Sequence, residues 1–353
     1  MCGIAGIIQQ QPGTYSIDHV KTMTSALAHR GPDGEGFWIN ATNTVGLAHR
    51  RLAIIDLNTT ADQPMHYLHY TIIFNGEIYN YKSIKETLQQ KGYRFITASD
   101  TEIIPAAYDC WGINCLDYFD GMFAFALWNE KEQQLILARD RFGEKPLYYH
   151  ADYASRGKFG QFLFASEMKA LWAVGVPKQF DSTMLLNYLT IGYVQNLVEP
   201  EATFFQKIYS LPPAHYLRLH VNTLEFKLIR YWDLDKESVS NISCSEAIEK
   251  FFDLLKESVQ RRMRSDVPLG TSLSGGLDSS SIVGIMQQLN TIPIKTFSAV
   301  FPDFEKDESK YIKEVAEKFH TESFCISPTA DDLVSDVEKL IYFQEEPFQS
   351  FSI

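Results

Sequence analysis

The stretch Leu273-Ser274-Gly275-Gly276-Leu277-Asp278-Ser279-Ser280-Ser281 combines an apolar residue, two adjacent glycines, an acid and a run of hydroxyls. This order predicts the end of a strand, a tight turn and the start of a helix that continues through Ile282–Met286. Adjacent glycines let the backbone approach a ligand closely, and a helix N-terminus adds partial positive charge. The stretch therefore predicts a phosphate-binding loop. The alternative is an ordinary turn in which Ser279 only caps the helix.

The polar side chains of this loop indicate which phosphate chemistry it supports. The lysine of a Walker motif is missing, so the GxxxxGK[ST] pattern does not apply. Asp278 lies where a carboxylate can hold Mg²⁺ against phosphates, and the hydroxyls of Ser274, Ser279 and Ser280 can donate to phosphate oxygens. We therefore expect Mg²⁺ and a phosphate-bearing ligand here.

Length and charge limit the classes of function. The chain has 353 residues, which favours two domains, and its 44 acidic and 32 basic side chains give a net charge of -12. Its longest basic run is Gln260–Arg264, so a nucleic-acid partner is not expected. The longest strongly apolar run, Met122–Trp128, is too short to span a bilayer, and no signal peptide is evident. We therefore expect no membrane partner.

The cysteines point to a reducing compartment and place one thiol at the start of the chain. There are 5 cysteines, an odd and scattered set without a CxxC pair, which favours the cytoplasm. Cys2 follows the initiator methionine and is small enough for that methionine to be removed. It would then carry a thiol nucleophile and an α-amino group with a reference pKa of about 7.7–8.0, suited to a general base. A cysteine at this position is more often incidental.

Two predicted strands carry polar residues that admit structural and functional interpretations. The apolar pattern of Val45–Asp56 predicts a largely buried strand. Arg51 in this strand either forms a surface ion pair or binds a substrate carboxylate. Tyr70–Phe74 reads as another strand, and the Asn75-Gly76 pair that follows is typical of a hairpin turn. The same pair could instead donate a side-chain amide and a backbone N–H to an oxyanion. Glu77 and the later Asp100 are acids that could bind a substrate ammonium, although exposed turn acids are common.

The second half of the chain predicts alternating helices and strands. The segment Asp233–Ser245 is typical of a linker, and a core-facing helix is expected over residues 247–259. Strands are expected at Val267–Leu273 and Ile294–Phe301, on either side of the loop and its helix. Two further amphipathic helices are predicted from the following apolar positions: Tyr311, Val315, Ala316, Phe319, Leu333, Val337, Leu340 and Ile341. This order predicts a parallel sheet that binds its ligand at the strand C-termini.

Several motifs in the first half resemble the class II glutamine amidotransferase domain, an N-terminal-nucleophile hydrolase with an αββα sandwich fold. The resemblance is carried by Met1–Ile4, His29–Asp33, Arg51–Ile54, Asn75–Asn80, Ser99–Glu102, Gly121–Ala126, Ala138–Tyr149 and Phe164–Ala170. It implies that Cys2 attacks the glutamine amide while Asn75 and Gly76 hold the oxyanion. It also implies that Arg51, Glu77 and Asp100 bind the glutamine backbone groups. Arg139 and Lys145 receive no catalytic role and are interpreted as structural.

The loop at Ser274–Ser280 resembles the SGGxDS pyrophosphate loop of the ATP-pyrophosphatase family, and the second half resembles the synthetase domain of the asparagine synthetase B family. The resemblance implies that ATP and Mg²⁺ bind at Ser274, Gly275, Gly276, Asp278, Ser279 and Ser280. It places Leu273 and Ala299 at the adenine and Glu346 where the family has a glutamate needed to form the acyl-adenylate. The implied domains are 2–217, a connecting segment 218–245, and 246–353, the last resembling only the first part of a synthetase domain.

The implied reaction converts aspartate, glutamine, ATP and water to asparagine, glutamate, AMP and pyrophosphate through β-aspartyl-AMP. A dry passage for ammonia is expected between the domains, with Met122–Ala126 and Phe164–Ser166 as candidate walls. A homodimer is one assembly to test. Two other functions stay open: a relative acting on another carboxylate, as in cell-wall or exopolysaccharide synthesis, and a catalytically silent glutamine-binding regulator. Cys2 argues against a β-lactam-forming synthetase, and the SGGLDSS loop argues against sugar-phosphate or phosphoribosyl amidotransferases.

Overall fold

The structure is a computed structural model that describes residues 1–10, 13–154, 158–222, 225–290, 292–302 and 304–348. It divides into two compact units. The first comprises Met1–Asp235 and the described residues from Glu345 onward, and the second comprises Lys236–Gln344. The segment predicted as a connector, 218–245, therefore contributes residues to both units.

Two six-stranded sheets form the first unit. One has the order β10-β8-β9-β1-β3-β2, and the other has the order β12-β11-β7-β6-β5-β4. Their strands are β1 Gly3–Gln9, β2 Gly34–Ile39, β3 Val45–Arg51, β4 Met65–Tyr67, β5 Tyr70–Ile78, β6 Gly121–Asn129, β7 Gln134–Arg139, β8 Tyr148–Ala154, β9 Lys158–Ala165, β10 Ile208–Ser210, β11 His215–His220 and β12 Glu225–Arg230. Every strand pairing within these sheets is antiparallel.

Helices cover the outer face of each sheet. They are α1 Ile17–Ala26, α2 Tyr81–Gln90, α3 Ile103–Trp111, α4 Cys115–Tyr118, α5 Met168–Trp172 and α6 Ser182–Ile191. One core layer, which includes Trp128 and Phe164, fills the space between the sheets. A second layer packs α2–α4 on one sheet, and a third packs α1, α5 and α6 on the other. This layering confirms the predicted αββα sandwich.

The second unit contains a three-stranded parallel sheet in the order β13-β14-β15. Its elements are α7 Cys244–Arg262, β13 Gly270–Ser272, α8 Leu277–Leu289, β14 Lys295–Ala299, α9 Ser309–Phe319, β15 Glu322–Ile326 and α10 Ala330–Gln344. A capping box starts α7, since Ser243 Oγ accepts from the Glu246 N–H and the Glu246 carboxylate accepts from the Ser243 N–H. The predicted parallel sheet and its helices are confirmed.

Burial in the second unit differs from the sequence prediction. The stripe on α7 was expected to face a core, but only its C-terminal end does so: Val259 is buried while Phe251 is 67% exposed. No described residue of α10 is buried, and β13 is short, with two of its three residues exposed. An amphipathic pattern shows that a helix has an apolar face but does not show which element covers that face.

Three boundaries in the first unit also differ from expectation. The strand predicted over Val45–Asp56 ends at Arg51. No hairpin forms at Asn75-Gly76, because β5 runs through both residues and pairs with β6 as far as Ile78. The predicted domain end at residue 217 falls inside β11, a central strand of its sheet.

Candidate active site

Cys2 lies at the entry to β1 and lines a cavity of about 90 Å³. Its Sγ lies 3.4 Å from the Leu52 nitrogen, which donates to it, and 3.6 Å from the Leu52 oxygen, to which the thiol donates. Burial raises the pKa of the Cys2 thiol, and the Leu52 backbone only partly opposes this. The resting group is therefore a protonated thiol, which needs a base before it can attack a carbonyl.

Asn75 and Gly76 face the same cavity from β5. Asn75 is 1% exposed, and its Nδ2 is buried without a hydrogen-bond acceptor among the described residues. Gly76 permits close pairing with β6, because a Cβ there would lie 2.1 Å from the Met122 oxygen. A buried amide donor without a partner is costly in a resting protein, so it marks a place where a ligand oxygen can bind.

Three charged residues predicted to bind the glutamine backbone groups line this cavity. Arg51 donates to Asp62 Oδ1 at 2.6 Å, to the Asn58 oxygen at 2.9 Å and to the Asp56 oxygen, so only part of its guanidinium is available to a ligand. Burial raises the pKa of Asp100 to about 7, and burial also raises the pKa of Glu77. The structure brings Arg51, Glu77 and Asp100 together with Cys2, although their roles stay predictions.

Glu102, which belongs to the same short motif as Asp100, serves the backbone instead. Its carboxylate accepts from the Ile96 and Thr97 N–H groups and from the Thr97 hydroxyl, at distances of 2.8–3.1 Å. Of the two acids in this motif, only Asp100 lines the cavity.

A buried cluster of ions behind Cys2 was not found from the sequence. Arg30 Nε donates to the Cys2 oxygen at 2.8 Å, and Arg30 Nη1 lies 2.7 Å from Glu167 Oε1. Lys169 Nζ lies 2.5 Å from the other Glu167 oxygen and 3.1 Å from Glu345 Oε1. Glu345 also accepts from the Lys169 N–H at 2.7 Å. These contacts join residues as far as 176 positions apart, and no local signal in the sequence reveals them.

Lys145 also lies in the site, although the sequence pattern gave it no role there. It lines the Cys2 cavity, is 5% exposed, and its Nζ lies 3.4 Å from the Met1 sulfur. Most of the residues predicted to line an ammonia passage do not face this cavity. Met122 lines the cavity, but Phe123, Ala124, Phe125, Ala126, Phe164 and Ala165 are packed inside the hydrophobic core.

The predicted phosphate loop lies between β13 and α8. Gly275 has φ +85°, and a Cβ there would lie 2.9 Å from Tyr311 Cβ, so a glycine is required. Ser279 Oγ lies 3.1 Å from Ser274 Oγ and 3.2 Å from the Gly276 oxygen. Ser280 Oγ is buried without a partner in the described ranges. The N-cap residue of α8 is Gly276, so the helix starts without a side-chain cap among the described residues.

The other residues predicted for the synthetase site lie in different places. Leu273 is buried at the end of β13, where its oxygen accepts from Ser298 Oγ at 2.6 Å, while Ala299 is exposed at the end of β14. Glu346 belongs to the first unit, where its carboxylate accepts from the Phe204 N–H at 2.9 Å. Burial, and then the charge of Glu345, raises the pKa of Glu346.

Asp278 is exposed in the first turn of α8, at the open end of the loop. No group of three or more potential metal ligands occurs among the residues that the structure describes. Asp278 fits a Mg²⁺ site of the kind in which phosphates and water supply most of the ligands. Separately, none of the helices in the described ranges has the length and apolar composition that crossing a membrane requires.

Two family models match the chain. Residues 1–232 match the glutamine amidotransferase domain, and residues 250–352 match asparagine synthase. The first match covers the sandwich and the Cys2 cavity, and the second covers the parallel sheet and its loop.

Individual relatives agree with these matches. An asparagine synthetase (glutamine-hydrolyzing) 3 of Bacillus subtilis is 32% identical over 98% of this chain and 57% of its own length. Amidase chry2 of Gibberella zeae is 32% identical over 98% of this chain and 54% of its own length. The chain thus spans just over half the length of these two relatives.

One solved structure supports the fold. A glutamine phosphoribosylpyrophosphate amidotransferase of B. subtilis aligns with a TM-score of 0.50 at 15% identity, over 95% of this chain and 92% of that chain. Identity at this level shows likeness of fold alone. The domain order, the cysteine at position 2 and the sequence relatives are sufficient to assign the family. The chain belongs to the glutamine-hydrolysing asparagine synthetases, with a glutamine amidotransferase domain followed by an asparagine synthase domain.

Proposed function

We propose that the protein transfers the amide nitrogen of glutamine to aspartate at the expense of ATP, giving asparagine, glutamate, AMP and pyrophosphate. The observation that carries the proposal is the unpartnered Asn75 Nδ2, buried in the same cavity as the Cys2 thiol. A nucleophile and an idle amide donor that face one small cavity are the components that acyl transfer from an amide requires.

The glutaminase step uses the amino terminus as base. After Met1 is removed, the α-amino group of Cys2 takes the thiol proton, and Sγ attacks the side-chain carbonyl carbon of glutamine. Asn75 Nδ2 and the Gly76 N–H donate to the oxyanion of the tetrahedral intermediate. The ammonium of Cys2 returns its proton to the leaving nitrogen, which departs as ammonia. Water then adds to the thioester, and glutamate leaves the regenerated thiol.

The cavity also offers groups that select an amino acid. Arg51 retains donors that suit an α-carboxylate, and Glu77 and Asp100 supply acids for an α-ammonium. Asp100, with a pKa of about 7, can bind the substrate cation in its ionised form near neutral pH.

The synthetase step is proposed at the loop Ser274–Ser280. The loop N–H groups and hydroxyls would bind the ATP phosphates at the start of α8, and the aspartate side chain would displace pyrophosphate to form β-aspartyl-AMP. Asp278 would hold Mg²⁺, which neutralises phosphate charge when bound. Ammonia then replaces AMP to give asparagine. Leu273 and Ala299 are proposed adenine contacts, and Glu346 is the proposed glutamate of acyl-adenylate formation.

The full-length protein with Cys2→Ala tests this division of labour. Glutamine-dependent asparagine formation should be lost, while synthesis from ammonium salts should be retained. Cys244→Ala, which changes an exposed cysteine, is the matched control and should retain both activities. Loss of both activities in Cys2→Ala would contradict the assignment of separate sites. Asp278→Asn should show the opposite pattern and keep glutamate release.

An acceptor other than aspartate is a second candidate, favoured by the amidase name of the Gibberella zeae relative. Pyrophosphate release with glutamine, ATP and a panel of carboxylic acids separates the two, because only the true acceptor should raise it well above background. A silent glutamine-binding regulator would show no modification of Cys2 after treatment with a diazoketone analogue of glutamine, whereas an active enzyme should be alkylated there, with loss of N2 and formation of a thioether.

The location and assembly of the protein are also proposals. The 5 cysteines are all free in the structure, which supports a reducing compartment such as the cytoplasm. A homodimer stays a prediction, and analytical ultracentrifugation of the full-length protein tests it.

A further inference from the structure

Lys145 is held in the glutaminase cavity by a rigid buried scaffold. Asp140, which is 0% exposed, accepts from the N–H groups of Phe142, Glu144 and Lys145 at 2.9–3.0 Å. Arg139 donates to the Lys145 oxygen at 2.7 Å and to the Gly143 oxygen at 2.8 Å. The backbone that carries Lys145 is thus fixed on both sides, and its side chain is directed into the cavity.

The Lys145 ammonium lacks the carboxylate that a buried cation normally has. It is 5% exposed, and no carboxylate in the described part of the chain lies within 4.0 Å of it. Among the described residues its hydrogen-bond neighbour is the Met1 sulfur, a weak acceptor on a residue that processing would remove. Burial lowers the pKa of Lys145, and the charge of Arg30 acts in the same direction, while the charges of Glu77, Glu144 and Asp140 oppose this. A structural lysine would be expected to have a charged partner here.

The Met1 sulfur lies near two cations. Lys145 Nζ is 3.4 Å from it, and Arg30 Nη2 is 3.9 Å from it. Arg30 Nε also donates to the Cys2 oxygen, and Cys2 and Lys145 line the same cavity. Arg30 pairs with Glu167, whereas no carboxylate of the described residues lies within 4.0 Å of the Lys145 ammonium. The cavity at the amino terminus therefore holds one buried ammonium group without a direct ion pair.

Other charged groups also face this region from the surrounding elements, and they divide between both signs. They are Arg30 and Asp33 from the segment before β2, Arg51 from β3, Glu77 from β5, Asp100 from the loop before α3, and Lys145. Burial lowers the pKa of the terminal amine at Met1, and the charges of Arg30 and Lys145 act in the same direction. Among neighbouring bases, the α-amine has the lowest intrinsic pKa, about 7.7–8.0 against about 10.4 for lysine, so it is the one that loses its proton.

We propose that Lys145 is a positioning residue of the glutaminase site, whose buried ammonium group, without a direct ion pair, keeps the α-amino group of processed Cys2 in its neutral, proton-accepting form. The inference rests on the proposed glutaminase function and adds a residue to it. It also gives a role to the fully buried Asp140 and to Arg139, since they fix the place of a charge that acts on the nucleophile's base.

The test is the pH dependence of glutamate release by the full-length protein, after mass spectrometry has shown that Met1 is absent. Lys145→Met keeps the side-chain volume and removes the charge. Its acid limb of kcat/KM should move to higher pH by about one unit, a loss of about ten-fold below the limb. The activities should converge above about pH 9, where the amine is neutral in both proteins. Lys145→Arg should restore the normal profile, and Lys91→Met, an exposed change in the same unit, should match the unaltered protein.

A loss of the same size at every pH would assign Lys145 a structural or substrate-contacting role and overturn the proposal, as would an unchanged profile. A second measurement does not require turnover: the rate at which cyanate carbamylates the Cys2 amine, followed by peptide mass spectrometry. Its midpoint should also shift upward in Lys145→Met, and an unchanged midpoint would refute the inference. If the unaltered protein releases no glutamate, the proposed function fails, while the cyanate midpoint still decides the effect of Lys145.

Discussion

Asn75→Ala should remove most of the glutaminase activity without lowering the stability of the fold. Asn75 Nδ2 has no acceptor among the described residues, so the resting protein gains no hydrogen bond from it. In the proposed reaction this donor acquires an acceptor only when the glutamine carbonyl becomes an oxyanion. The substitution therefore separates transition-state stabilisation from folding stability.

The two magnitudes follow from the same atom. Loss of one oxyanion donor costs about 2.7–4 kcal/mol, so kcat and kcat/KM should both fall by about 10²–10³. A buried donor without a partner costs about 1–3 kcal/mol in the folded state, and truncation to alanine removes that cost. The small cavity left behind opposes this gain, so the free energy of unfolding should change by less than about 1 kcal/mol.

The assay pairs steady-state glutamate release with urea-induced unfolding. Asn40→Ala is the matched control, because Asn40 is also buried but uses its whole amide. Its Nδ2 donates to the hydroxyls of Thr42 and Thr44, and its Oδ1 accepts from the Thr44 and Val45 N–H groups. Asn40→Ala should therefore lose stability, by about 1–3 kcal/mol, and keep its kcat.

Two results would refute this reasoning. A fall of less than about ten-fold in kcat, accompanied by a raised KM, would show that Asn75 binds the substrate ground state. A stability loss as large as that of Asn40→Ala would show that Nδ2 is already satisfied in the resting protein.

Three further predictions concern stability and its dependence on pH. Glu167→Gln should lower the free energy of unfolding by about 3–5 kcal/mol, because it leaves the buried Arg30 without a carboxylate and Lys169 with Glu345 alone, whereas Glu35→Gln in a half-exposed pair should have far less effect in the same urea titration. Burial raises the pKa of Asp100 to about 7, so the protonated carboxyl favours the folded state. The free energy of unfolding should therefore fall as pH rises from about 4 to above 7. If Asp100→Asn shows the same slope of stability against pH, this cause is excluded. Gly76→Ala should lower the melting temperature strongly, since its Cβ would lie 2.1 Å from a backbone oxygen, while Gly34→Ala, with its nearest neighbour at 3.7 Å, should be tolerated.

The sequence predicted those features that depend on neighbouring residues. The phosphate loop and α8 follow from two glycines and a helical apolar pattern, and a capping box begins α7 at Ser243. The parallel order of the second unit follows from the alternation of strands and helices. The αββα sandwich was predicted from the resemblance of motifs and not from periodicity. The strands that periodicity predicted in the first half were too few and too scattered to define two sheets.

The remainder depends on pairings between distant segments. Asn75-Gly76 has turn propensity, yet β6 pairs along the whole of β5 and keeps both residues extended in the sheet. The ion pair between Arg30 and Glu167 joins residues 137 positions apart, and Lys145 reaches the cavity only because Asp140 organises its loop. Local sequence patterns relate neighbouring residues only, so they do not predict such long-range contacts.

The partial burial of the amino-terminal residues gives the proposed mechanism its order of events. Burial raises the pKa of the Cys2 thiol and lowers that of the Met1 terminal amine, so burial favours the neutral form of both groups before glutamine arrives. Met1 is 55% exposed, so a terminus moved to Cys2 would lie deeper, and the preference for a neutral amine should increase. Charge then separates only when Sγ bonds to the substrate carbon, and the negative charge passes at once to an oxygen that Asn75 and Gly76 can bind. The neutral thiol and the unpartnered amide therefore act together: negative charge develops on the substrate oxygen, where the Asn75 amide is already in place to donate to it.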